Sequence, residues 1–345
     1  MTVLNEDEKK LIHLNPEDVV DAHANMHLVD EYNALIQKKR LQKDPETGKL
    51  LRPWTFSIVQ GFFKQSDPKL DDRGFEFIEE NFGLAKSSWE TLIKDLHKLN
   101  EQSPDNEVYK LLFCARHGQG NHNVAVAHFG LKAWDDHYSK LTGTTLEDGT
   151  YLKWGPDPFL TKKGEAQADL LNRQWRNQIT ENGAPIPTKF FSSPFTRSIQ
   201  TLIRTWDGIA VCKDGEDESK LLAKKRAHPL ISENIRETIG EHLCDKRSPK
   251  SVIVERSAPY GFEIEDGFAE EDIYYKDDWR EQLPEQALRT NAFLQQLFDQ
   301  YPDEIIYSAT HSGQVRAFLT ATGHRAFGIS TAGMIPIVVK GVRQE

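Results

Sequence analysis

Leu111-Leu112-Phe113-Cys114-Ala115-Arg116-His117-Gly118-Gln119-Gly120-Asn121-His122-Asn123 decides how the rest of this 345-residue chain is read. The apolar run from Val108 to Ala115 predicts a strand buried on both faces, and it stops abruptly at Arg116-His117-Gly118. Gly118 and Gly120 bracket a tight loop, and Asn121 is placed to cap a helix that opens at Asn123 and runs to about Trp134. Strand, glycine loop and helix start in succession would gather backbone N–H groups and the positive end of a helix dipole about one point. That arrangement binds an anion, phosphate above all. Arg116 adds a fork of donors there, and His117 a ring nitrogen that is nucleophilic when neutral. An Arg-His-Gly triplet alone suits a core histidine beside a structural arginine equally well. The strand before it and the Gly-x-His-Asn run after it favour a site.

Two further strand ends repeat the pattern. Thr188 to Phe191 is a strand running into Ser192-Ser193-Pro194, with the proline at the first helical position and Arg197 in the first turn. A guanidinium is thereby set above the carboxyl end of a strand, where open α/β sheets bind ligands. Taken alone, Arg197 could be a surface ion-pair partner and Ser-Pro a phosphorylation site. Glu304 to Thr310 is another strand, ending in His311-Ser312-Gly313, with a helix from Gln314 to Ala321. A lone histidine after a strand is more often structural. A third strand-end element of one type in one chain points to function.

Arg-His-Gly at the end of the first core strand, Ser-Pro-x-x-Arg and the later strand-end histidine resemble the histidine phosphatase (phosphoglycerate mutase-like) superfamily. The string Arg116-His-Gly-Gln-Gly-x-His-Asn123 is most similar to its fungal phosphomutase-like branch, as are Phe63-Lys-Gln-Ser-Asp-Pro68 and Asn81-Phe-Gly-Leu84. The resemblance covers about residues 54 to 340. It implies an α/β fold, a three-layer α/β/α sandwich around a mostly parallel sheet. It further implies that Arg116, Asn123, Arg197 and His311 contact one phosphate and that His117 is the nucleophile. An acidic residue shortly after the strand at His228–Ile231 would be the proton donor. Glu237 fits best, with Glu233 and Glu241 left as alternatives.

The residues themselves suggest chemistry without a metal. No aspartate-rich magnesium site and no Gly-x-x-x-x-Gly-Lys loop occurs. Cationic side chains would hold the phosphoryl oxygens instead, and no cofactor is expected. Two arginines beside His117 disfavour its protonated form, and His311, opposite, would carry charge once phosphate is bound. Hydrolysis through phospho-His117 is the favoured reaction. The rival is a phosphomutase, but mutases of the superfamily have serine where Gly120 stands. A non-catalytic phosphate-binding protein on the same fold is the rival from another class, and it would need no nucleophile. The expected partner is a small phosphate ester.

A net charge of −10 argues against a nucleic-acid or anionic-membrane surface. Three cysteines without metal-type spacing suit a reducing compartment, and no apolar run of membrane-spanning length occurs. The expectation is a soluble cytoplasmic protein, with the nucleus open to it. No interface pattern fixes an oligomeric state. Residues 1–105 read as an N-terminal extension packed on a catalytic domain of 106–345, and residues 245–283 as a charged insertion beside the site that shapes substrate choice. There Arg247 is a candidate contact for the rest of the substrate. His23 and His27 could share a helix face, a spacing zinc uses, but no third ligand stands nearby and a solvated face is the plainer reading. Phe75, Phe77, Ile78, Phe82 and Leu84 predict a buried helix with a turn at Gly83, and Trp89 to Leu99 a second helix. Pro284 to Gln300 predicts an amphipathic helix, and Ile335 to Val339 a closing strand.

Overall fold

Adjacent residues of a strand point to opposite faces, and the aromatic residues here use that to build two cores. The computed structural model describes residues 4–344. Its strands are β1 (Trp54–Ile58), β2 (Glu107–Arg116), β3 (Gly143–Thr145), β4 (Tyr151–Lys153), β5 (Lys189–Ser192), β6 (Leu230–Ile231), β7 (Glu263–Ile264), β8 (Ile305–Thr310) and β9 (Met334–Arg343). Seven of them form one sheet of order β1-β9-β2-β8-β5-β6-β7, and β3 and β4 form a separate hairpin. The pairs β2–β8, β8–β5, β5–β6 and β6–β7 are parallel, whereas β9 runs antiparallel to both β1 and β2.

The helices are α1 (Glu6–Leu11), α2 (Pro16–His23), α3 (Val29–Arg40), α4 (Trp89–Gln102), α5 (Asn121–Phe129), α6 (Leu131–Asp136), α7 (Lys162–Asn182), α8 (Thr196–Trp206), α9 (Lys250–Ser257), α10 (Leu283–Gln300) and α11 (Ser312–Thr322). On one face, Phe113 and Tyr307 of the sheet meet Trp89 of α4, Trp175 of α7 and Trp206 of α8. Phe190 points to this side and packs on Trp206. Its neighbour Phe191 points to the other and packs on Phe293 of α10, which in turn meets Phe318 of α11. The result is the expected three-layer α/β/α sandwich.

The parallel register brings the strand ends level. Arg116 pairs with Thr310, Ala309 with Ser192, and Ser192 with Ile231. Four chain segments therefore leave the sheet side by side, and α5, α8 and α11 start close above it. The site forms at this edge.

Several local expectations need correction. Residues 75–84 are buried but form no α-helix. They follow a short 3₁₀ turn, Asp72–Gly74, and contain one more, Asn81–Gly83, with positive φ at Asn81 and Phe82; burial of clustered aromatics outweighs helical periodicity. Asn121 does not cap α5; the cap is Gly120, whose N–H is held by Asn123. The helix expected to reach Trp134 breaks at Gly130, where φ is +79°. Pro194 precedes the first turn of α8 instead of opening it. β9 is an interior strand, closed off by β1. His23 and His27 share no helix, because α2 ends at His23 and His23 bonds Asp72 at 2.9 Å. The N-terminal segment also carries more than a solvated face, since α3 packs on α10 and α2 on α11. Among the described residues no helix is long and apolar enough to cross a membrane.

Candidate active site

β2 delivers Arg116 and His117, β5 and α8 deliver Arg197, and β8 delivers His311. All four side chains are buried, and the two imidazole centroids lie 5.0 Å apart at 65°. His117 Nδ1 is 2.6 Å from the Gly118 carbonyl. A carbonyl only accepts, so Nδ1 carries the proton and Nε2 keeps its lone pair. Arg197 Nε–H donates to that Nε2 at 3.2 Å. Its remaining nitrogens go to the Cys244 carbonyl and to Asp245 Oδ1. The Nε2 lone pair of His117 is thus covered by a guanidinium N–H.

Arg116 donates through one terminal nitrogen to Asp18 Oδ1 at 2.5 Å and to the Ile329 carbonyl at 2.8 Å. Ser193 Oγ and Ser198 Oγ sit 2.7 and 3.3 Å from His311 Nε2. The ring of His122 is 5.3 Å from that of His117. Arg116 Nε, His122 Nδ1 and His311 Nδ1 are buried with no hydrogen-bond partner. Each such orphan costs about 1–3 kcal/mol, a cost that a polar group within reach would relieve.

Electrostatics keeps the rings neutral. Burial, and then the charge of Arg197, push His117 and His311 well below the usual imidazole value. Glu237 moves the other way. Burial raises its pKa first, and Asp245 and Asp21 add to it. Its Oε1 accepts the Thr238 N–H at 2.8 Å and lies so close to Gly313 that a methyl group there would fall 2.3 Å away. The carboxyl therefore lies against the first turn of α11, the helix that His311 caps. Glu233 is otherwise engaged, since Arg247 Nε and Arg236 hold its two oxygens. Glu241 has positive φ, and its backbone bonds Lys276 and Tyr275.

Asn123 stands in the first turn of α5, with Oδ1 spent on the Gly120 N–H at 2.8 Å. The glycine loop itself departs from expectation. Gly118 N–H donates to Thr201 Oγ1, Gln119 N–H to Gln167 Oε1 and Gly120 N–H to Asn123. Those backbone donors are consumed by side chains, so the loop offers no free N–H at Gly118, Gln119 or Gly120. Close approach fixes the loop as well: a Cβ on Gly164 would lie 2.2 Å from the Gln119 carbonyl, and one on Gly118 2.5 Å from that of Gly164.

The segment 245–283 forms a wall of the site. Asp245 bridges Arg197 and Arg280, and Asp272 holds Arg236 through two hydrogen bonds. Arg247 does not face a substrate. It is buried, with its donors on Glu233 and on the carbonyls of Ser248, Ala269, Glu270 and Glu271. Among the described residues, His242, Cys244 and Asp245 offer metal-type donors within 4.8 Å of one another. Arg197 and Arg280 already neutralise that aspartate and would repel a cation. The three cysteines are free and buried. Sequence reasoning missed Asp18, Ser193, Ser198, His122 and Asp245 as neighbours of the site. His122, Ser193 and Ser198 had a usable signal, their place in the strand-end motifs, whereas Asp18 and Asp245 had none.

No family model matches the chain. A "Probable phosphoglycerate mutase" from Arthroderma benhamiae is 33% identical over 301 residues, covering 83% of this chain and 84% of that protein. The chain belongs to the histidine phosphatase (phosphoglycerate mutase-like) superfamily of phosphatases and mutases. A second fungal relative, "Phosphomutase-like protein 3" from Candida albicans, is 33% identical over 286 residues, 82% of this chain and 79% of its own. Among solved structures, an ecdysone phosphate phosphatase from Bombix mori in complex with tungstate aligns over 65% of this chain and 87% of its own, at 16% identity and a TM-score of 0.38.

Proposed function

We propose that the protein is a metal-independent phosphomonoesterase that works through a phosphohistidine on His117. The observation that carries this reading is the pair of buried imidazoles 5.0 Å apart, flanked by Arg116 and Arg197 and by nitrogens lacking partners. A tetrahedral dianion beside the two rings would give Arg116 Nε and His311 Nδ1 partners, and Asn123 would hold the loop next to it. Arg197 turns from His117 Nε2 to a phosphate oxygen as the ester enters. His117 Nε2 then attacks phosphorus in line, the bond to the ester oxygen breaks, and Glu237 gives that oxygen its proton. The carboxylate next takes a proton from water, the hydroxide attacks phosphorus, the P–N bond breaks, and phosphate leaves. The raised pKa of Glu237 suits it to begin protonated and finish protonated.

A second reading, phosphoryl return to a sugar-acid phosphate, has support from the names of the fungal relatives. Gly120, where superfamily mutases carry serine, favours water as the acceptor. The test is His117→Ala with a 32P-labelled monoester panel beside a mutase assay. Loss of both labelling and turnover is expected, with phosphate the product of the wild type. Phosphate release undiminished in His117→Ala would remove the proposal.

A further inference from the structure

The N-terminal segment reaches further into the site than a packing layer would. Asp18, in the first turn of α2, spends its two carboxylate oxygens on different tasks. Oδ2 accepts the N–H of the helix cap Asn15 at 3.2 Å, while Asn15 Oδ1 accepts the Asp18 N–H at 2.7 Å. Oδ1 takes Arg116 across 98 residues of sequence. The same carboxylate thus fixes where α2 starts and where the guanidinium lies. Three residues on, Asp21 binds Arg316 of α11 through its side chain at 3.0 Å and through its carbonyl, which seats α2 across the start of the helix that His311 caps.

A second route joins α2 to the same guanidinium. His23 Nε2 bonds Asp72 Oδ2 at 2.9 Å, and that oxygen also accepts the Gly328 N–H at 2.6 Å. The next residue, Ile329, offers its carbonyl to Arg116. Both groups that hold Arg116 are therefore set by α2, one directly and one through Asp72. Both act on a single terminal nitrogen, while Nε is buried with no partner. A guanidinium gripped at one corner presents its other N–H groups in a fixed plane.

We infer that Asp18 is a positioning residue, through which the N-terminal helix α2 sets the Arg116 fork for the phosphoryl group; the inference rests on the phosphate pocket proposed above. Charge and geometry make opposite forecasts. A carboxylate beside a phosphate site weakens anion binding by repulsion, so by charge alone its removal would tighten phosphate. If orientation governs, removal leaves a buried arginine free to swing and weakens it.

The experiment uses the full chain and measures binding of inorganic phosphate and of orthovanadate by calorimetry, with kcat and KM on a monoester. Loss of a hydrogen bond to a charged group predicts a phosphate Kd raised roughly 10- to 100-fold in Asp18→Ala, with vanadate weakened at least as much. Asp18→Asn keeps a side-chain oxygen for Arg116 and should recover most of that loss, a rescue that a generally loosened fold would not give. Should Asp18→Ala fail to fold, His23→Ala, which cuts only the indirect route, is expected to weaken phosphate by a smaller factor. Unchanged or tighter phosphate binding in these variants overturns the inference, and a faster Asp18→Ala enzyme would mark α2 as a plug instead. A wild type that binds neither anion would overturn the pocket itself. The sample that fails tells the two apart.

Discussion

Half-buried Glu237 and fully buried His117 are held in opposite protonation preferences, and that sets the pH behaviour of the proposed reaction. His117 must be neutral to attack, and burial with Arg197 lowers its pKa, so the acid limb of kcat/KM lies below the usual imidazole range. Glu237 must be protonated to donate, and burial with Asp245 raises its pKa, so the alkaline limb lies above the usual glutamate range. Asp245→Asn removes the leading charge that keeps the proton on Glu237, and the alkaline limb should move to lower pH. An unmoved limb would count against Glu237 as the donor. Glu237→Gln should abolish that limb and slow an alkyl phosphate by about 10²- to 10⁴-fold. It should slow p-nitrophenyl phosphate far less, because that leaving group needs no proton. At this scale Arg116, His117, Arg197 and His311 were readable because each follows an apolar strand in a motif of fixed spacing. Asp18 was not, because its partner lies 98 residues away and a carboxylate in a charged N-terminal stretch looks like solvated surface. Arg247 misled for a related reason, since nothing in a charged run says which arginine is buried.

Among the elements, the glycine loop between β2 and α5 shows how packing can replace a backbone anion nest. Thr201, Gln167 and Asn123 take its N–H groups, and the start of α7 lies against it at Gly164. Gly164→Ala would drive a methyl group into the Gln119 carbonyl. Overpacking of this kind costs about 1–3 kcal/mol, visible as a lower denaturation midpoint. Displacement of the neighbouring His117 by a fraction of an ångström should also lower kcat/KM, by roughly tenfold or more. Stability and activity both unchanged would mean that the loop yields freely. Strands and long helices were legible here because period and capping agree, as with Thr161 before α7. The segment 75–84 was not, because its aromatics are buried by the shape of their surroundings instead of by a repeating face. The free N–H groups expected of the loop were misjudged because side chains from α5, α7 and α8 reach them, and no local pattern reports that.

For the molecule as a whole, buried neutral imidazoles make stability depend on pH. His117, His122 and His311 are shifted well below their ordinary value, and burial lowers His242 and His324 to about 4. Below about 6.5 the unfolded chain takes up protons that the folded one refuses. Their contribution is therefore complete above that pH and is lost as pH falls toward the folded values. Glu237, Glu265, Asp135 and Asp207 oppose this, since their folded pKa values are raised and their contribution fades as pH rises, but they depart from ordinary values of about 4 and the histidines from about 6.5. The melting temperature should rise between pH 5 and pH 7, and His324→Gln, which lies outside the site, should make that slope shallower. A flat or falling profile would contradict the buried neutral state. Fold class was open to sequence reading because three strand-end motifs carry the resemblance that implies a mostly parallel sheet. The place of β9 was not, because a lone terminal apolar run does not say which neighbours it will take.

β9 has β2 on one side along Met334–Val342 and β1 on the other along Val339–Arg343. Trimming the chain past Ile58 would strip β1 away and leave Val339–Arg343 of β9 as an open edge, able to pair with copies of itself. Such a shortened protein should scatter light and grow into ordered aggregates, so residues 54–58 serve as a guard against self-association.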